Sequence, residues 1–101
     1  MRVEEGTTAF IDYEMRDEDG ELISVVNLLE YKVTSGLDTT LVNWTSVAGA
    51  TAFGRLTISA TTNTRASSRD NYRFITIRCT YDAIKKCTKE IDYELSDIKG
   101  I

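Results

Sequence analysis

Two stretches decide the fold of this chain: Tyr72-Arg73-Phe74-Ile75-Thr76-Ile77-Arg78-Cys79-Thr80-Tyr81 and Cys87-Thr88-Lys89-Glu90-Ile91-Asp92-Tyr93-Glu94-Leu95. In the first, Ile75, Ile77, Cys79 and Tyr81 share one parity. In the second, Ile91, Tyr93 and Leu95 alternate with Glu90, Asp92 and Glu94. A two-residue hydrophobic period is a strand with one face buried. Paired as a hairpin centred on Ala83, the stretches set Cys79 opposite Cys87 and Ile75 opposite Ile91. The inward parity then agrees on both strands, as a correct register requires. Asp82-Ala83-Ile84-Lys85-Lys86 becomes an exposed tip.

The same period recurs upstream. Ala9, Ile11, Tyr13 and Met15 alternate with Phe10, Asp12, Glu14 and Arg16; Leu29, Tyr31 and Val33 with Glu30 and Lys32; Leu56, Ile58 and Ala60 with Thr57 and Ser59. Weaker strands are expected at residues 21–26 and 40–44. No segment sustains apolar residues at helical spacing, and β-branched residues abound. Six or seven short strands joined by turns describe a sandwich or a small barrel, which share these signals. Gly20, Gly36, Gly49, Gly54 and Gly100 punctuate a chain that has no Pro. The polar run from Thr61 to Asn71 reads as a loop.

A chain of 101 residues, 42% hydrophobic and 28% charged, is expected to form one domain, 1–101, around one core. Lys and Arg number 12 against 16 Asp and Glu, a net charge of −4, and Lys85-Lys86 is the only adjacent basic pair. Nucleic-acid binding requires a positive field, so nucleic acid is not an expected partner. The opening Met1-Arg2-Val3-Glu4-Glu5-Gly6 has no apolar run of a signal peptide. Uninterrupted apolar stretches run to two residues or so, as at Val25-Val26 and Leu28-Leu29, and fall far short of a membrane span. The expectation is a chain made in the cytoplasm, with no membrane partner.

Function must be argued from a site, and no catalytic site assembles. The chain has no His, which removes the Ser–His–Asp and Cys–His systems and the commonest metal ligand. Neither enzyme activity nor a cofactor is expected. Asp17-Glu18-Asp19-Gly20-Glu21 carries two oxygens of a calcium loop, but Met15 stands where the first ligand is required. A tight hairpin turn is the favoured reading. Cys79 and Cys87 are read as free, partly buried thiols rather than a disulfide or half a zinc site, since a cytoplasmic protein keeps thiols reduced. Asn43-Trp44-Thr45 fits a glycosylation acceptor, a match without meaning where no secretory signal is expected. Trp44 is expected in the core, with an interface anchor as the alternative. Arg65, Arg69 and Asp70 are the candidate partner contacts, on a loop that reads equally as a contact arm or a solvated linker.

Several phrases together carry a resemblance: Val3-Glu4-Glu5-Gly6-Thr7-Thr8-Ala9-Phe10-Ile11, Arg16-Asp17-Glu18-Asp19-Gly20-Glu21-Leu22-Ile23, Leu41-Val42-Asn43, Ile75-Thr76-Ile77-Arg78-Cys79-Thr80-Tyr81-Asp82 and Glu90-Ile91-Asp92-Tyr93-Glu94-Leu95 with the residues after it to Ile101. The chain resembles small structural proteins of tailed bacteriophages that have an immunoglobulin-like sandwich. The resemblance implies an immunoglobulin-like β-sandwich of about seven short, mostly antiparallel strands. It also implies a virion part, a capsid decoration protein or a neck, tail or fibre-attachment component, present in multiple copies and contacting other virion proteins. The stretch between Val47 and Gly54 and the polar loop fit the pattern poorly, and no functional residues carry over. The alternative is an immunoglobulin-like interaction or adhesion module of a bacterial surface system.

Overall fold

A computed structural model describes residues 2–49, 51–67 and 69–96. Gly100, Ser68 and the end of the resemblance beyond Ser96 lie outside the described residues. Seven strands run through the rest, with no helix among the described residues: β1 (Arg2–Glu4), β2 (Ala9–Glu14), β3 (Val26–Ser35), β4 (Thr40–Ser46), β5 (Phe53–Ile58), β6 (Tyr72–Tyr81) and β7 (Lys85–Ser96). Five of them form one sheet in the order β1-β7-β6-β3-β4, and β2 and β5 form another. Every pairing is antiparallel except that of β1 with β7.

The β6–β7 hairpin has the register that the sequence requires, with Cys79 opposite Cys87 and Ile75 opposite Ile91. Its tip is tighter than expected. β7 begins at Lys85, so only residues 82–84 turn, with Asp82 at φ 48° and Ala83 at φ 68°. Positive φ at successive turn residues matches the right-handed twist of hairpin strands. The Ala83 amide donates to Asn27 Oδ1 at 2.8 Å and ties the tip to β3.

The inward faces meet in one core. Ala9, Ile11, Tyr13, Leu56 and Ile58 from the small sheet join Leu29, Val33, Ile75, Ile77, Cys79, Tyr93 and Leu95 from the large one, all buried. Each large side chain so buried contributes roughly 1.5–3 kcal/mol, which is the physical content of the alternation. Two sheets sharing one core are compatible with a β-sandwich. Gly54 is not punctuation: it lies inside β5 opposite Tyr13, where an added Cβ would stand 2.9 Å from the Tyr13 hydroxyl.

Three local features depart from or add to the sequence reading. β1 is too short to show a period, and its pairing with residues 94–96 forms it. The strand expected at 21–26 reduces to one bridge, Arg16 opposite Leu22, because the chain is crossing from the small sheet to the large one there. In β4, Thr45 pairs with Tyr31 but Val42 with Val33, so Asn43 and Trp44 together oppose Lys32. Such a bulge breaks the alternation and re-aims the side chains that follow.

Candidate binding surface

The strand β6 carries a charge into the interior. Arg73 shares the inward parity of Ile75 and Ile77 and is fully buried. A buried guanidinium persists only if its charge and its donors are met. Its Nη1 and Nη2 bind the two carboxylate oxygens of Asp70 as a fork. Nε donates to the Thr62 carbonyl at 2.8 Å, Nη2 to that of Thr64 at 3.1 Å, and Nη1 to that of Tyr72 at 2.9 Å. Asp70 Oδ2 also accepts the Ala66 amide at 3.0 Å. Burial alone would push the Asp70 carboxyl up. The Arg73 bond, the Ala66 amide and the charges of Arg73 and Arg65 outweigh it and hold the group below the ordinary 3.8.

A second buried bond lies beside the first. Tyr93 of β7 donates its hydroxyl to Asn63 Oδ1 at 2.6 Å, and burial pushes that phenol up to about 12. Asn63 Nδ2 donates to the Thr7 carbonyl at 2.8 Å, and the Gly6 amide donates to the Asn63 carbonyl at 3.0 Å. The Arg65 amide donates to Glu5 Oε2 at 3.0 Å. The described residues of segment 59–71 are therefore clamped from beneath and sewn to the β1–β2 connection, not a loosely solvated linker. No buried side-chain nitrogen or oxygen among the described residues lacks a partner.

This clamp sorts the three candidate contacts. Arg69 is exposed and Arg65 half-buried on the outer side of the segment. Asp70 points the other way, only 2% exposed, with both oxygens engaged by Arg73 and Ala66, so it is an internal counter-ion and not a surface contact. The signal in the sequence was Arg73, a charged residue at an inward strand position, which demands a buried partner.

Trp44 is also placed differently from expectation. The β4 bulge turns it onto the outer face of the large sheet, half-buried, with the Arg78 guanidinium carbon 3.6 Å and Lys32 Nζ 5.1 Å from its ring centroid. Arg78 Nε also donates to Glu30 Oε1 at 3.1 Å. On the small sheet, exposed Phe10 and Phe53 flank an Asp12–Arg55 ion pair with Nε and Oδ1 2.8 Å apart. There β5 pairs with β2 alone, so its other edge is unpaired by any strand among the described residues.

The acidic segment at 17–20 is a turn, as favoured. Asp17 Oδ1 accepts the amides of Asp19 and Glu21 at 2.9 and 3.0 Å, and the Gly20 amide donates to the Asp17 carbonyl. Cys79 and Cys87 are free, the first buried and the second half-buried. Burial, reinforced by the neighbouring Cys87, pushes the Cys79 thiol up to about 11.

Among known proteins, no family model, no curated sequence and no solved structure matches the chain.

Proposed function

We propose that this domain is a non-enzymatic structural protein of a tailed-bacteriophage particle, a capsid decoration or neck, tail or fibre-attachment part that acts by protein–protein contacts. The observation that carries the reading as a binding scaffold is the clamp under residues 59–71. A fully buried Arg73–Asp70 pair and the Tyr93–Asn63 bond spend polar groups on holding one surface segment in shape. A segment fixed before it meets a partner loses little conformational entropy on binding, so such presentation favours affinity. Arg69 on its outer side offers a planar fork suited to a carboxylate of a neighbour. The unpaired edge of β5 offers backbone groups for an added strand.

The phage setting comes from the sequence resemblance. The strand order supports the immunoglobulin-like part of it: β3, β6 and β7 stand as strands C, F and G, β4 as C′, and β2 and β5 as B and E. The chain departs from that pattern in having neither the inter-sheet disulfide nor a buried Trp on β3. The test is mass spectrometry and electron microscopy of purified particles of the phage encoding the chain. The protein should appear in stoichiometric copies; its presence only in infected-cell cytosol would sink the reading.

A further inference from the structure

We propose that Cys79 and Cys87 form a built-in thiol–disulfide site, which a low-molecular-weight disulfide such as oxidised glutathione converts to a cross-strand bond without moving either strand. The two residues are direct partners across the β6–β7 ladder. Directly opposed residues of an antiparallel pair have Cα atoms about 4.5 or 5.5 Å apart, depending on the ladder position. Both spacings fall within the roughly 4.4–6.8 Å that a disulfide spans. The register is held on both sides of the pair by the ladder from Tyr72–Glu94 to Tyr81–Lys85, so the sulfurs meet without a search.

Exposure orders the steps. Cys87 is half-buried and Cys79 buried, so the incoming disulfide meets Cys87 first. The Cys87 thiolate attacks one sulfur of oxidised glutathione, forming a mixed disulfide and releasing one glutathione thiolate. The Cys79 sulfur, losing its proton to solvent, then attacks the Cys87 sulfur and expels the second glutathione. Two electrons pass from the protein sulfurs to the reagent, and two glutathione thiols result. Burial of the Cys79 thiol, which disfavours its thiolate, makes this second step the one that quickens as pH rises. A reducing compartment leaves both thiols free; an oxidising one staples the hairpin, independently of any partner.

The full-length chain is equilibrated with oxidised and reduced glutathione at pH 8, quenched by alkylation and weighed intact. The expected product has lost two hydrogens and takes up no alkyl group. Its Tm should rise by about 5–10 °C, because a short loop is closed in the unfolded chain. The equilibrium constant for closure should be about 10- to 100-fold larger in native buffer than in denaturant, the same linkage read from the other side. Cys79→Ser should stop at a single glutathione adduct on Cys87. A wild-type chain that remains doubly alkylated, or halts at the mixed disulfide, overturns the proposal, as does closure that is no more favourable native than denatured.

Discussion

Arg73 is the residue on which most of the loop architecture turns. Removing one partner of a buried ion pair leaves the other charge without compensation, a loss of about 3–5 kcal/mol. Arg73→Ala should therefore lower the unfolding free energy read from urea titration by that amount, far more than Arg69→Ala on the exposed side of the same segment. Asp70 gives the pair a pH signature. Its folded pKa lies below the unfolded value near 3.8, so its contribution is complete above that value and is lost as pH falls through the folded one. The stability gap between wild type and Asp70→Asn should be widest near neutral pH and should narrow below about pH 4. Denaturant titrations at a series of pH values check this; a gap independent of pH contradicts the assignment. The inward parity of Arg73 was legible in the sequence, between residues whose alternation is unambiguous. That its counter-ion is Asp70 was not, because a carboxylate in a polar run looks solvated until the fold shows where the run turns.

At the scale of elements, the strands that read clearly are those whose partners enforce strict alternation. Ile75, Ile77, Ile91 and Tyr93 have one parity and one register, so period and pairing carry the same information. Trp44 departs from the core position its type suggests because a bulge on an edge strand leaves no trace in hydrophobic period. The three residues of β1 cannot display a period at all. Trp44→Ala should accordingly cost about 1 kcal/mol, the scale of an exposed cation–π contact, and not the ~3–5 kcal/mol of a core aromatic. As the only Trp of the chain, it should also be quenched by acrylamide in the native state; a shielded ring would contradict the bulge. The hairpin tip yields the opposite kind of change. Ala83 is exposed with φ 68°, a region disfavoured for a residue with a Cβ. Ala83→Gly keeps the amide that donates to Asn27 and relieves that strain, so it should raise stability by roughly 0.5–1 kcal/mol in thermal or urea unfolding.

The whole molecule is elongated, 49 × 23 × 20 Å, and β6 runs between two dissimilar ends. At its start lie the clamped 59–71 segment and the β1–β2 connection; at its far end lie the hairpin tip with exposed Ile84 and the tied-in Asn27. A body of this shape with a hydrogen-bonded segment at one end suits repeated docking, where many modest contacts are multiplied by avidity. The proposed role then makes a separable prediction for Arg69. Its side chain is exposed, so Arg69→Glu should leave the unfolding free energy within about 0.5 kcal/mol of wild type. Reversing a charge that faces a neighbour's carboxylate replaces attraction with repulsion at every copy. Particles assembled in a mixture of wild-type and Arg69→Glu protein should therefore take up the wild type preferentially. The ratio is read by quantitative mass spectrometry of purified particles. Equal incorporation would remove the 59–71 segment from the contact and leave the β5 edge, which Thr57→Lys, a charge placed beside that edge, would probe in the same competition.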